Sequence, residues 1–379
     1  MPPSRFPAIV LILSLATTVG CASSGARPVS SAVAPFDDAI ERRAIVAAMT
    51  AAADWQLANP SRHPRYDWTQ APFWIGLTSF APLSGDPQRY LSAVRRNGEE
   101  NRWRPGPRPL LADDHAITQS YFVLQRGEPD RAMIEPALQT FDAVIRFPSE
   151  ESLEFSWEKT SRQWVWCDAL FMSPPALAMA TRATGDHRYL DFMNRMWWRT
   201  SDYLYDKEEH LYYRDSRFFD QRAPNGRKIF WSRGNGWVLG GLARVLQEMP
   251  PDYAERGRYL TQFREMAGRI AQLQQGDGYW RTSLLDPDTH PRPETSGTAF
   301  YIFALAWGVN ERHLDRATYE PIIRRGWAAL VRAVQSNGML GYVQRIGDQP
   351  GETAASGTEI YGVGAFLLAG TEVHRLAQP

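Results

Sequence analysis

A single acid, Asp168, sits in an otherwise aromatic and aliphatic run, Trp164–Phe171 (WVWCDALF). A carboxylate beside Trp164 and Trp166 is poorly solvated, so its pKa is expected to rise. An aspartic acid that still holds its proton near neutral pH can give it to a substrate. A structural reading stands beside this one: an Asp just ahead of Pro174 and Pro175 can cap a helix. Asp113 and Asp114 form a second acidic point before another apolar segment. They read either as cap and helix-dipole partners or as acids that approach Asp168, where a like charge would raise a pKa further. His115 beside them is a polar contact to a ligand or a surface residue.

The stretch WSRGNGWVLGG, Trp231–Gly241, is a third candidate. Glycines at a helix start cost stability unless something approaches the backbone closely. Arg233 between Trp231 and Trp237 suits a sugar acid, with the guanidinium on the carboxylate and the rings against the sugar faces. A buried arginine capping helix ends, packed by tryptophan, is the plain alternative. Asn235 lies in the same turn. Ser296 and Thr298 in ETSGTA, and the similar ASGTEIYG at 355–362, either present hydroxyls and N–H groups to a ligand or only turn the backbone tightly. Arg214, in LYYRDSRF (211–218), belongs to a long loop that can form a rim, as can 277–283 and 338–344.

The seven histidines are scattered, with no His-x-x-x-His pair, and no metal site is expected. The glycine-rich stretches match neither a phosphate-binding loop nor a dinucleotide fingerprint, and there is no Gly-x-Ser-x-Gly elbow. A carboxylate mechanism without a cofactor is what the residues leave.

The elements that would hold these residues are helical. Polar clusters at 67–70, 113–115, 167–168, 233–236, 295–298 and 355–358 each open an apolar segment. From the second onward they recur roughly every 55 to 67 residues, the spacing of a helix pair. Turn residues such as Ser84-Gly85-Asp86 and Thr184-Gly185-Asp186 end each apolar segment, and a more amphipathic helix follows. The amphipathic helices are expected at 38–57, 88–95, 131–145, 189–204, 253–273 and 317–334. Apolar helices belong inside and amphipathic ones outside. Six such hairpins closed into a ring make an all-α (α/α)6 barrel. The N-termini of the inner helices would meet at one end of it, where the polar clusters also lie, and would favour an anionic ligand.

The chain has 379 residues, with 42 basic and 42 acidic side chains, so no single-sign field points to nucleic acid or an anionic membrane. Its 14 Trp, 15 Tyr and 17 Phe are mostly core, though sugar clefts also use aromatic faces. Arg5 and the apolar run from Ala8 to Ala16 read as a signal segment over residues 1–21, too short for a permanent membrane helix. Gly20-Cys21 resembles a lipobox, with Cys21 the site of lipidation and membrane attachment. Residues 22–37 read as a flexible tether, and 38–377 as the catalytic domain. The protein is then expected to be exported, to a bacterial periplasm or outer membrane. Cys167, the other cysteine, is left without a disulfide partner and reads as a small buried hydrophobe rather than a nucleophile.

Four motifs, ADDHAITQSYF, WVWCDALFMSPPALA, WSRGNGWVLGGLARVL and ETSGTAFYIFALAWGV, together resemble the unsaturated uronyl hydrolases of glycoside hydrolase families 88 and 105. The unsaturated rhamnogalacturonyl hydrolases of family 105 are the closer likeness, over roughly residues 40–375. The resemblance implies an (α/α)6 barrel and an unsaturated oligosaccharide left by a polysaccharide lyase as substrate. It implies protonation at carbon 4 of the terminal unsaturated uronic acid and addition of water at carbon 5, after which the ring opens and the neighbouring sugar leaves. It makes Asp168 the proton donor and then the base, with Asp114, in preference to Asp113, as the second acid. It makes Arg233 and Trp237 substrate contacts, with Trp231 and Trp166 close by. Family 105 members often carry a histidine where this chain has Arg214 and Asp215, so the leaving sugar stays open. Pectin fragments come first, with ulvan, arabinogalactan or glycosaminoglycan fragments as alternatives. Two rival readings are another (α/α)6 carbohydrate enzyme acting on saturated glycans, and a surface glycan-binding lipoprotein.

Overall fold

Thirteen of fourteen helices lie in two layers in a computed structural model that describes residues 35–147 and 150–377. The expected signal segment, most of the tether and Cys21 lie outside the described residues. The inner layer holds α2 (Ala71–Phe80), α4 (Thr118–Gly127), α7 (Ala169–Met172) with α8 (Pro174–Thr184), α10 (Ser232–Glu248), α12 (Thr295–Asn310) and α14 (Ile360–Leu376). Each inner helix touches the next in chain order, and α14 returns to α2, so the ring closes. The outer layer holds α1 (Arg42–Ala58), α3 (Pro87–Glu100), α5 (Glu135–Arg146), α9 (Arg188–Leu204), α11 (Arg256–Gln272) and α13 (Arg316–Arg332). The remaining helix, α6 (Trp157–Thr160), is a single turn in the loop before α7.

Burial explains the sorting. Along α12 every residue from Thr295 to Val309 is buried, as an inner helix with neighbours on all sides must be. On α3 only Tyr90, Val94, Asn97 and Gly98 are buried, one stripe three and four residues apart. Side-chain caps start several helices: Asp86 accepts from Arg89 N, Asp315 from Thr318 N, and Glu294 from Ser296 N and Gly297 N. Gly185 ends α8 at φ 75°, a left-handed conformation that glycine adopts without cost.

The last and first hairpins meet at a glycine seam. A Cβ on Gly364 of α14 would land inside the radii of Pro72 C and O on α2, and one on Gly76 would strike Gly364 O. With two hydrogens there, the backbones of α14 and α2 come together directly.

The third inner helix is broken. Pro174 and Pro175 have no N–H to offer the carbonyls four residues before them, Leu170 and Phe171. Gln119 of α4 fills the gap: its Nε2 donates to Phe171 O at 2.9 Å and Met172 O at 3.3 Å. Gln119 Oε1 in turn accepts from the buried Arg244 Nε at 2.7 Å. A two-stranded hairpin, β1 (Tyr205–Asp206) and β2 (Leu211–Tyr212), interrupts the loop after α9. Tyr212 and Tyr213 there are buried rather than rim residues.

Candidate active site

Asp168 stands at the start of α7, and its side chain caps nothing. Two features fix its place. The backbone N–H of Cys167 donates to Arg214 O at 2.8 Å, which lays the Asp168 segment beside the loop before α10. The Gln119 clamp holds the other end of α7. Asp168 is only 8 % exposed, and what exposure it has is to a pocket of about 340 Å³ at the N-terminal end of the inner helices. Trp68, Asp113, Trp166, Met172 and Arg214 also line it, and Trp157 and the 346–348 loop form its outer edge.

Burial pushes the Asp168 carboxyl up, against the opposing pull of Arg214, Arg233 and the Cys167 thiol. Arg214 Nε lies 3.7 Å from Asp168 Oδ2, and Cys167 Sγ donates to the same oxygen at 3.4 Å. Asp113 faces the same pocket. Its carboxyl is pushed up to about 8 by burial first and then by the charges of Asp168 and Asp114. The pocket thus holds two acids whose pKa values are raised, Asp113 to about 8 and Asp168 above the usual carboxyl value.

Asp114, preferred from sequence, turns the other way. It is buried beneath the loop 105–109 and is taken up by Arg108, which donates from N at 2.7 Å, Nε at 3.1 Å and Nη2 at 2.7 Å. The pocket acid beside Asp168 is therefore Asp113. His115 also leaves the pocket: it is buried, with Nδ1 2.7 Å from Ser173 Oγ and Nε2 2.7 Å from Pro109 O. It ties the helix break at Ser173 to the loop over Asp114, and burial lowers its pKa, so it serves as a neutral bridge.

The residues of WSRGNGW hold the site together from beneath. Arg233 is fully buried, between Trp231 at 4.4 Å and Tyr361 at 5.0 Å. Its donors go to Gln344 O at 2.9 Å, Arg345 O at 3.0 Å and Gly347 O at 3.5 Å, so it fixes the 344–347 segment that ends at the pocket edge. Trp231 Nε1 donates to Gln344 Oε1 at 2.8 Å. Asn235 is spent on the backbone of Tyr212 and Trp231. The approach that the glycines permit comes from protein: Gly241 faces Leu170 O, and Gly236 faces Phe300 and Gly297. Ser296 and Thr298 are likewise buried, bonded to Glu294 and to Trp280 N. Trp237 is buried in the pocket floor with Phe171 at 4.9 Å and Phe300 at 4.4 Å. Trp68 lies over it, edge-on at 6.3 Å, and separates it from the pocket.

Trp68, Trp157, Met172 and Ile346–Asp348 escaped sequence reasoning as pocket residues. Trp68 carried a signal, since it sits in the polar cluster before α2. Trp157 and Ile346 lie in loops without periodicity.

An acid–base enzyme for a small polar ligand is what a closed helical ring with two carboxyls of raised pKa and a cation in its mouth defines. The comparisons give the class a family: the profile of Glycosyl Hydrolase Family 88 matches residues 41–377, and the chain belongs to that family. An "Unsaturated 3S-rhamnoglycuronyl hydrolase" of Formosa agariphila is 42 % identical over 346 residues, covering 88 % of this chain and 91 % of the relative. One of the same name from an Alteromonas species is 36 % identical, covering 85 % and 84 %. The solved structure of a family 88 glycosyl hydrolase from Bacteroides vulgatus superposes with a TM-score of 0.79 at 29 % identity, covering 88 % of this chain and 99 % of that one.

Proposed function

We propose that the protein hydrates the 4,5-double bond of a terminal unsaturated uronic acid joined to rhamnose, and so releases the rhamnose end. The observation that carries this is a pocket lined by the buried Asp168, the half-buried Asp113 and Arg214, with both carboxyls raised in pKa. Asp168 gives its proton to carbon 4 of the enol ether, and positive charge develops at carbon 5 and the ring oxygen. Water adds at carbon 5 and gives a proton back to the Asp168 carboxylate, so the acid is restored. The hemiketal then opens, and the bond to the neighbouring sugar breaks at the exposed carbon 1. Asp113, neutral and within reach of the same pocket, orients the water or a ring hydroxyl. Arg214 meets the substrate's negative charge. Rhamnose is the proposed leaving sugar because both curated relatives carry it in their names.

The test is a panel of lyase-generated disaccharides with their saturated counterparts. Unsaturated uronyl-rhamnose should lose the ultraviolet absorbance of its double bond on adding enzyme, and the saturated compound should be untouched. Release of sugar from the saturated compound alone would overturn the reading.

Acidity gives a second check. Both acids work with protons on, and their pKa values are raised, so the rate falls as pH rises, not as it drops. kcat/KM should persist past the ordinary carboxyl range, which ends by about pH 5, and fall as the raised Asp168 carboxyl ionises, with a further loss above about 8 as Asp113 gives up its proton. A profile that already fell between pH 4 and 5 would sink the assignment of a buried acid.

A further inference from the structure

We propose that Asp215 is a positioning residue: it holds the Arg214 guanidinium back from Asp168 and so keeps that acid in its proton-bearing form. The inference rests on the reading of Asp168 as the proton donor.

The geometry is that of a competition. Arg214 Nη1 donates to Asp215 Oδ2 at 2.7 Å, while its Nε stops 3.7 Å short of Asp168 Oδ2 and has no hydrogen-bond partner among the described residues. A full ion pair with Asp168 would need only a small turn of this side chain, and it would draw the proton off the acid. Asp215 is well placed to prevent that. It is fully buried, and Arg217 fixes it with N at 3.0 Å, Nε at 2.8 Å and Nη2 at 2.8 Å. Phe155 and Trp157 flank the Arg214 guanidinium at 5.1 and 5.5 Å and limit its swing. Arg217 Nη2 also reaches Asp348 at 2.8 Å, so alternating charges run from Asp168 to the pocket edge.

The other groups facing Asp168 do not duplicate this control. Arg233, on α10, has both Nη groups committed to the carbonyls of residues 344, 345 and 347; its Nε is unpartnered among the described residues, but it lies beyond salt-bridge distance of Asp168. Asp113, across the pocket, is itself an acid that holds its proton up to about 8. Cys167 offers only a weak S–H bond. Arg214 is the one cation within salt-bridge distance of Asp168 among the described residues, and Asp215 is its stronger partner.

Two substitutions with opposite expected signs test this. Asp215→Asn removes the competing charge, so Asp168 should lose its proton about one pH unit lower. Arg217→Met leaves the Asp215 charge less neutralised, so Asp168 should keep its proton to higher pH. Infrared difference spectra can follow the protonated carboxyl band that Asp168→Asn removes, with the fall of kcat/KM on unsaturated uronyl-rhamnose as a second readout. A merely structural Asp215 would lower the whole rate profile without moving it. An unmoved or upward titration in Asp215→Asn overturns the proposal. If that variant does not fold, an unmoved or downward titration in Arg217→Met does so instead. The infrared band reports on Asp215 even if no unsaturated substrate is turned over, a result that would count against the proposed reaction alone.

Discussion

Asp168→Asn should cut turnover of an unsaturated uronyl disaccharide by about 10³-fold and leave the fold intact. The two halves of this expectation have one origin. Asp168 is buried and its pKa is raised, so the form that donates the proton is a neutral carboxylic acid. Asparagine has the same shape and is also neutral, so no buried charge is gained or lost. What goes is the proton that carbon 4 must receive, which no amide can supply. Thermal unfolding and the far-ultraviolet spectrum should match those of the wild type. Wild-type rates in the variant would remove Asp168 from the chemistry. A variant that fails to fold would instead show that the carboxyl has a structural duty that its missing cap bond does not suggest.

Gly364→Ala is expected to be the most damaging single methyl in the ring. Its Cβ would meet Pro72 and Phe73 backbone on α2, which cannot step aside as a flexible side chain can. Overpacking of this kind costs about 3 kcal/mol, and here it acts where the sixth hairpin closes on the first. A fall of several degrees in the thermal midpoint should follow, with activity reduced as well, because Trp68 on one side of the seam and the 346–348 loop on the other both line the pocket. Gly85→Ala is the control: a Cβ there meets nothing within 4 Å. Equal stability for both variants would mean that α14 and α2 can separate freely.

How much of this was legible in the sequence depended on scale. Hairpin number and order follow from apolar content: α12 and α14 are buried nearly throughout, α3 on a single stripe, and no tertiary knowledge is needed to sort them. The break between α7 and α8 was visible as two prolines, but its repair by Gln119, some fifty residues earlier, was not. The preference for Asp114 over Asp113 had nothing in the sequence to rest on, because the two are neighbours in a tight turn and face opposite ways. The choice is made by Arg108, whose grip on Asp114 only the folded loop reveals. Arg233 failed to disclose its partner for a related reason. A guanidinium between aromatic rings suits a carbohydrate acid and a row of carbonyls equally well, and composition cannot say which lies opposite. The pocket edge, Trp157 and Ile346–Asp348, comes from loops whose residues obey no period at all.

The layer of Trp237, Phe171 and Phe300 beneath Trp68 makes the cavity blind. A strand of polysaccharide cannot thread through it, and only a terminus can enter. Throughput then depends on how many termini a mixture contains and hardly on its mass. In a digest of long chains, such a protein idles until something else has cut them, and its pace becomes a gauge of that earlier cutting.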